Sequence, residues 1–335
     1  MNTYDTSTLI GVINGLDPFE TFLLTMFFPE VITFETSTID YDVVAPNSTL
    51  APFVSPLVAG RADTSNGYST RKFKPAYLKP KHVVDPEKVI ARKAGEQIGG
   101  GLFNGDRRRA IIADNLNDER ESIIRRLEWM CSQVLRTGKT VVSGENYPTV
   151  EVDFQRAAGN TITLTGTNVW TDTANAKPLD QMEAWNAQSE APITDFVMDA
   201  LSWKNLIKFQ EVKDLLDTRR GSESSVELGP DNAKWVSYKG MLGSFHIWVY
   251  TGYYTDDAGA KQLYVPDNTV IGASSAVEGV RAFGAILDPA AGYQALEMFP
   301  KNWVSDDPAV ENTMTQSAPL MVPKRPNATI AVKTA

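Results

Sequence analysis

The segment DRRRAIIADNLNDERESIIRRLEWMCSQVLRT, residues 106–137, contains no proline or glycine, and Gly138 follows it. Its apolar residues recur at spacings of three and four, which is the period of one buried helix face. These residues are Ile112, Leu116, Ile123, Leu127, Met130 or Cys131, and Val134. About 30 residues at about 1.5 Å each give a helix of roughly 45 Å, well above the average helix length. The segment therefore predicts one long helix that lies along a sheet as a structural spine.

Segments on the C-terminal side of this predicted spine alternate between strand and helix patterns. Alternation with period two predicts strands at 139–143, 149–154, 160–165, 193–198, 244–254, 261–265, 268–272, 311–322 and 327–333. Helical spacing returns at 179–188 and 200–216, after Pro178 marks a change of character. We therefore expect an α+β protein with a second, mixed domain that begins near residue 178.

The first thirty residues predict two short amphipathic helices. The first covers 7–14 and stops at Gly15, and the second starts at Asp17-Pro18 and stops before Pro29. The second helix carries an apolar stripe made of Phe19, Phe22, Leu23, Met26 and Phe27. Two interpretations stay open, because the stripe fits either the chain's own core or a groove on a neighbouring subunit.

Residues 31–85 lack helical periodicity and predict extended chain. Asn66-Gly67 is typical of a two-residue hairpin turn, so the tip of a hairpin is expected there. In the returning strand Lys72 and Lys74 alternate with aromatic residues, and two prolines confine the strand to a sheet edge. A hairpin with so much charge has too little apolar surface for a core of its own. It is expected to protrude and to cross another subunit.

The composition restricts the classes of function. The chain has 335 residues and a formal net charge of −9, and this sign opposes tight nucleic-acid binding as a primary role. A container that holds DNA without binding it would carry such a charge, and the basic residues in 71–81 and 107–109 are expected to pair with acidic groups of neighbours.

The single cysteine, Cys131, excludes an intrachain disulfide. No secretion signal is expected, since the N-terminus lacks a basic start and a long apolar core.

The motifs that carry chemistry are weak. His82 and His246 are the only histidines, so a zinc site of histidines and cysteines is not expected within one chain. The sequence TGKT at 137–140 ends like a phosphate-binding loop, but Gln133 stands where that motif needs its first glycine. The five glycines in 95–105 suit a flexible joint better than an anion site. No catalytic residue, cofactor or metal is therefore expected, and an enzyme would require a deep pocket with convergent ionisable groups.

Seven short segments, spread from residue 54 to residue 321, carry a family resemblance. They are VSPLVAG (54–60), LKPKH (78–82), LDTRRGS (216–222), VSYKGM (236–241), PDNT (266–269), PKNWV (300–304) and QSAPLM (316–321). Together and in this order they resemble the lambda-type phage major capsid protein family, the protein E family, over essentially the whole chain. The set is far more specific than any single segment.

The resemblance implies an α+β fold, the tailed-phage major capsid fold of the Hong Kong ninety-seven type. The implied parts are an N-terminal arm at 1–30, an extended-loop hairpin at 31–85, a peripheral domain at 86–177 and 285–335 with the spine helix at about 106–137, and an axial domain at 178–284. These parts agree with the elements predicted from periodicity.

The resemblance also implies a function. A family member is a major capsid protein, not an enzyme, and it self-assembles into hexamers and pentamers of an icosahedral head around the phage genome. Implied partners are a scaffold protein, the portal, a decoration or cement protein, and double-stranded DNA enclosed without sequence-specific binding; no membrane is implied. The implied location is the virion capsid, assembled in the bacterial host cytoplasm. The shell protein of a cargo-holding bacterial nanocompartment has the same fold and stays an alternative, which the neighbouring genes would discriminate.

Arg219 and Arg220 follow a predicted helix and precede Gly221. Two interpretations stay open for them. They form a solvated helix end that complements the helix dipole, or they pair across a subunit boundary with the acid-rich stretch 223–231 of an adjacent copy.

Overall fold

The computed structural model describes residues 6–15, 21–36, 38–45, 67–90, 104–144, 147–218, 235–307 and 309–335. The described helices are α1 (Thr6–Asn14), α2 (Leu23–Phe27), α3 (Pro86–Ile90), α4 (Asn104–Thr137), α5 (Pro178–Gln188), α6 (Ala200–Leu206) and α7 (Gln210–Thr218). The described strands are β1 (Glu30–Thr33), β2 (Ile39–Ala45), β3 (Gly67–Phe73), β4 (Lys81–Val84), β5 (Lys139–Gly144), β6 (Tyr147–Asp153), β7 (Thr161–Thr163), β8 (Asp195–Met198), β9 (Val236–Leu242), β10 (Phe245–Tyr250), β11 (Tyr253–Thr255), β12 (Lys261–Leu263), β13 (Thr269–Ala273), β14 (Gly279–Phe283), β15 (Phe299–Ser305), β16 (Val310–Gln316), β17 (Pro319–Pro323) and β18 (Ile330–Lys333).

The long helix predicted from the decisive segment is confirmed as α4, which we call the spine helix. It has 34 residues, which is about 51 Å at about 1.5 Å per residue. It ends because Gly138 adopts a left-handed backbone with φ +69°, and a Cβ at this position would lie 2.6 Å from the Cβ of Arg156. Only glycine fits this stop without strain.

Two three-stranded sheets lie against the spine helix. One has the order β1-β14-β17 and the other the order β15-β16-β4, and both contact α4. The larger core lies between the helix and these sheets. There Ile123 and Cys131 of the helix belong to the same buried cluster as Phe283 and Leu320 of the first sheet.

A six-stranded mixed sheet forms the other part of the molecule, with the order β7-β18-β13-β8-β10-β9. Its strands are shielded by α5, α6 and α7, and a second buried cluster fills the space between them. In this cluster Trp170 and Trp185 stack with ring centroids 6.2 Å apart, and Trp185 also contacts Phe196 at 6.3 Å. The mixed α/β character predicted from residue 178 onward is therefore present.

Two of the predicted details are wrong in this structure. The pattern at 200–216 predicted one helix, but α6 and α7 are separate, because Lys208 and Phe209 bond to carbonyls three residues back and tighten the last turn of α6. The C-terminal strand was expected to complete the peripheral sheet with the rest of 285–335. It instead pairs with β13 and β7 in the six-stranded sheet, where its alternate residues Ile330 and Val332 enter the second core.

The hairpin predicted at Asn66-Gly67 is also different. Gly67 opens β3 and pairs with Ala45, so it forms no two-residue turn, and the connection between the two strands runs through 46–66, outside the described residues. The sequence IDYDVVA at 39–45 alternates and is rich in strand-forming residues, whereas RADTSN at 61–66 is not. The segment 39–45 is the better strand former of the two, and it is the one that pairs with β3.

Candidate assembly site

The buried face of the spine helix is the one that periodicity predicted. Its apolar residues are between 0% and 5% exposed, and they are Ile112, Leu116, Ile123, Leu127, Met130, Cys131, Val134 and Leu135. Two carboxylates, Glu119 and Glu128, are buried on the same helix. A buried charge requires hydrogen-bond partners, so these residues mark the places where the helix holds other segments.

Glu128 fastens the N-terminal segment to the spine helix. Its carboxylate accepts hydrogen bonds from the backbone N–H groups of Phe22 at 3.2 Å, Leu23 at 2.9 Å and Leu24 at 2.9 Å. The hydroxyl of Tyr250 donates a fourth hydrogen bond at 2.9 Å. Burial raises the pKa of the Glu128 carboxyl, and these four donors offset part of that rise. The first N–H groups of a helix have no partner within the helix, and here one side chain accepts their hydrogen bonds.

The apolar stripe of the N-terminal segment packs inside its own chain. Leu23 and Phe27 are 0% and 1% exposed within the main core, and Met26 packs against the same cluster. The ring of Phe22 lies 5.4 Å from Trp248 and 5.5 Å from Tyr250, measured between centroids. Of the two sequence interpretations, the structure therefore has the intrachain one for these residues. Phe19 lies outside the described residues, and contact of the stripe with a neighbour stays a prediction.

Glu119 holds the sheet β15-β16-β4 to the spine helix. The hydroxyls of Thr313 and Thr315 on β16 each donate to its carboxylate at 2.7 Å, and His82 Nδ1 on β4 lies 3.3 Å away. Burial raises the pKa of the Glu119 carboxyl, and the two threonines and His82 act in the opposite direction. Two neighbouring strands are thereby bound to one helical side chain.

Arg108 makes a two-pronged ion pair near the N-terminal end of the spine helix. Its Nε and Nη2 each donate to a carboxylate oxygen of Glu311 on β16 at 2.6 Å, and Asn302 adds an amide hydrogen bond at 2.9 Å. Both charged side chains are largely buried, which strengthens such a pair relative to an exposed one. Arg108 was expected to pair with a neighbouring subunit. That expectation is wrong here, because its partner is in the same chain.

Arg156 joins the C-terminal end of the spine helix to the six-stranded sheet. It donates to the terminal backbone carbonyls of Leu135 and Arg136 at 2.6 Å each. It also donates to the hydroxyls of Thr161 at 2.6 Å and Thr329 at 3.3 Å. Burial lowers the pKa of Arg156 to about 10, so it remains charged at neutral pH and complements the helix dipole.

The structure describes only Gly67, Lys72 and Lys74 among the remaining candidate contact residues. Lys72 pairs with Asp40 of the adjacent strand at 3.4 Å within its own chain, and Lys74 is exposed. Asn66, Arg219 and Arg220 lie outside the described residues. A contact of any of these residues with a neighbouring subunit stays a prediction.

Sequence reasoning missed the buried polar residues of the spine helix. Glu119 falls on the apolar stripe, three residues after Leu116 and four before Ile123, and Glu128 lies three residues before Cys131. A charged residue on an otherwise apolar helix face is the signal that identifies such an anchor.

The described residues contain no group of three or more histidines, cysteines or carboxylates that could hold a metal ion. His246 is hydrogen bonded to the Tyr238 hydroxyl at 2.9 Å. No helix in the part of the chain that the structure describes is long and apolar enough to span a membrane. In the part of the chain that the structure describes, the buried polar side chains Glu119, Glu128 and Arg156 hold segments of the chain together.

Comparisons with known proteins show which family this chain resembles in sequence and structure. Residues 5–334 match the family described as phage major capsid protein E. The major capsid proteins of Escherichia phage N15 and Escherichia phage lambda are 37% and 36% identical over 342 residues, with 100% of both chains covered. A prophage protein of Escherichia coli CFT073 that is described as a capsid protein has 29% identity and a TM-score of 0.79 over 99% of each chain. The chain therefore has the α+β fold of phage capsid proteins and belongs to the phage major capsid protein E family.

Proposed function

We propose that this chain is the major capsid protein of a tailed phage, and that copies of it assemble into the head that encloses the genome. The observation that carries the proposal is the likeness to two major capsid proteins over the full length of both chains.

The polar anchors of the spine helix support this role. Glu128, Glu119 and Arg156 fix three different parts of the chain to one helix of about 51 Å. The subunit is thereby a stiff body. A closed shell repeats every contact by symmetry, so modest contacts between stiff subunits add up to a stable assembly.

The ribbon of β2 and β3 supports contact between subunits. At its base Ile39 and Phe73 are buried in the main core, and its two strands pair only with each other among the described strands. A two-stranded ribbon alone is marginally stable in water. Docking on an adjacent subunit would supply the missing contacts. Gly67 and Lys72 lie on this ribbon, and Lys74 follows it directly.

We further propose that the subunits form hexamers and pentamers, with a scaffold protein during assembly and a portal and a decoration or cement protein in the finished particle. The net charge of −9 supports enclosure of double-stranded DNA without sequence-specific binding. Assembly takes place in the cytoplasm of the bacterial host, and the chain has no enzymatic role. On this proposal 1–30 act as an arm, 31–85 as the extended loop and 178–284 as the axial domain. The peripheral domain consists of 86–177 with 285–335, except for β7 and β18, which pair in the six-stranded sheet.

Arg219 and Arg220 are proposed contacts at the boundary between neighbouring subunits. Their proposed partners are the acidic residues of 223–231 in an adjacent copy, because arginine pairs with carboxylates through two hydrogen bonds. The double variant R219A/R220A should stay soluble and folded but form capsomers less readily. Normal heads with unchanged salt sensitivity would contradict this contact.

A bacterial nanocompartment shell is the second candidate, because it uses the same fold. The full-length likeness to named phage capsid proteins favours the phage head. Genes for a terminase, a portal and a protease beside this one would support the head, and a cargo enzyme gene would support the compartment.

Purified virions test the proposal. Mass spectrometry and gel densitometry of particles should identify this chain as the most abundant protein. A minor band, or absence from the particles, would contradict the proposal.

A further inference from the structure

The sheet β15-β16-β4 turns one face toward the spine helix and the other face away from it. On the first face, Thr313 and Thr315 of β16 and His82 of β4 contact Glu119 of the helix. Side chains alternate between the two faces of a sheet, so the residues between these point away from the helix. We call this second surface the lysine face. Its strand residues are Lys81 and Val83 of β4, Val310, Asn312, Met314 and Gln316 of β16, and Phe299, Lys301, Trp303 and Ser305 of β15.

The chain that leads into β4 extends the lysine face. Leu78 forms an antiparallel bridge with Ser317, in the same register that pairs Lys81 with Met314. Residues an even number of positions apart point to the same side of a strand. Lys79 is therefore on the side of Lys81, and the residue two positions before it, tyrosine 77, is on that side as well.

Two ammonium groups of the lysine face are held over aromatic rings. Lys79 Nζ lies 5.1 Å from the ring centroid of Tyr77, and Lys81 Nζ lies 5.2 Å from the ring centroid of Trp303. Both lysines are exposed. A cation within about 6 Å of a ring centroid is attracted to the ring. The positions of the two charges are therefore restricted before any partner binds.

The residues of the lysine face, all of which the structure describes, include no aspartate or glutamate. One carboxylate from outside the face reaches it. It belongs to Asp288, which pairs with Lys301 at 3.0 Å and accepts a hydrogen bond from Gln316 at 2.7 Å. Lys79 and Lys81 thus carry the charge that this pairing leaves on the face. Other carboxylates of the region lie beyond the ends of the strands, at Asp85, Glu297, Asp306 and Asp307.

Exposed apolar side chains accompany these lysines. Val83 is 50% exposed, and Trp303 and Met314 are partly exposed. When one face of an antiparallel sheet is solvated, that face is ordinarily polar. A face that combines valine, tryptophan and methionine with fixed lysines instead resembles a protein interface, where aromatic residues and methionine are enriched.

We propose that the lysine face binds an acidic surface of a second copy of this chain, with Lys79 and Lys81 paired to carboxylates and Val83 and Trp303 covered by the contact. This inference rests on the proposed shell function. The chain has 41 acidic and 32 basic residues, so a second copy offers an excess of carboxylates to a face that carries lysines. The two surfaces are unlike. A contact between unlike surfaces closes into a ring when it is repeated, as hexamers and pentamers require.

Carbodiimide cross-linking identifies the partner, because the reagent joins a lysine amine to a carboxylate in contact with it. In particles assembled from an equal mixture of unlabelled and isotope-labelled chain, peptide mass spectrometry separates links within a chain from links between copies. The pair Lys72–Asp40, 3.4 Å apart within one chain, is the internal control. We expect Lys79 or Lys81 to be linked to an aspartate or glutamate of another copy, in peptide pairs that combine both isotopes. Unassembled subunits should give no such link.

Charge reversal tests the energetic role of the two lysines. In K79E/K81E like charges would oppose each other across the contact. The matched control K204E/K239E changes the net charge equally at two exposed lysines of α6 and β9. Unfolding temperatures of both variants should match the wild type. We expect the subunit concentration needed for assembly to rise about tenfold or more for K79E/K81E and little for the control.

The outcomes separate the inference from the function. If Lys72 and Asp40 are linked in particles but Lys79 and Lys81 have no link to another copy, the inference fails and the shell function stands. Links of these lysines to a different protein would overturn it, as would normal assembly of K79E/K81E or equal impairment of the control. The cross-link requires no substitution, so it decides the matter even if the variant does not fold. Absence of particles for the wild type would contradict the shell function, and the inference with it.

Discussion

Replacement of Glu128 by alanine should release the N-terminal segment from the spine helix. The substitution removes the acceptor of four buried donors, which are the N–H groups of Phe22, Leu23 and Leu24 and the hydroxyl of Tyr250. At about 1 kcal/mol for each unpaired donor the loss is about 4 kcal/mol. The substitution also removes the free-energy cost of burying the carboxylate, which offsets about 1 kcal/mol of this loss. A net loss of about 3 kcal/mol corresponds to roughly a 100-fold shift of the local opening equilibrium.

Hydrogen–deuterium exchange of the unassembled subunit measures this shift. Amides in 22–24 should exchange roughly 100-fold faster in E128A than in the wild type, because exchange follows local opening. The control E121A removes a partly exposed carboxylate that pairs with Arg125 on the same helix, and such pairs contribute about 0.3–0.5 kcal/mol. Exchange in E128A within about threefold of the wild type, the range that this control allows, would refute the argument.

The pH dependence of Glu128 gives a second prediction. Burial raises the folded pKa of the Glu128 carboxyl, so its contribution to stability is fully present below the ordinary glutamate pKa and is lost as pH rises through the folded value. The wild type should therefore gain unfolding free energy relative to E128Q as the pH is lowered towards the ordinary glutamate pKa, and a difference that does not change with pH would contradict this. R108K should cost about 1–2 kcal/mol in urea unfolding, because lysine cannot make the two-pronged pair, whereas R109K at an exposed position should change little. G138A should destabilise the protein by about 1–3 kcal/mol, because residue 138 has a left-handed backbone. G105A should stabilise it by about 0.5–1 kcal/mol, because a Cβ at this helical position meets no other atom. Thermal unfolding of both variants checks the two signs.

Local patterns were sufficient to predict the elements near the spine helix. The run 106–137 excludes proline and glycine and has a single apolar stripe, so α4 was predicted to within a few residues. The strands at 139–144 and 147–153 also followed from alternation. Such elements depend on residues close in sequence, which is why the sequence alone reveals them.

The partners of these elements depend on residues far apart in sequence. Glu128 meets Leu23 across 105 positions, and Glu119 meets Thr313 across 194. No periodicity encodes these distances, although two carboxylates on an apolar face indicate that partners exist. The turn at Asn66-Gly67 failed for the same reason. A local turn preference was outweighed by the pairing of 39–45 with 67–73, two segments that are separated by residues 46–66 in the sequence.

Electron cryomicroscopy of the purified chain, with and without its scaffold protein, tests the central claim most directly. We expect closed icosahedral particles whose subunits contain the spine helix with Glu128 bound to the N-terminal segment. Monodisperse single subunits under all assembly conditions, or particles in which this chain is absent from the shell, would contradict the account.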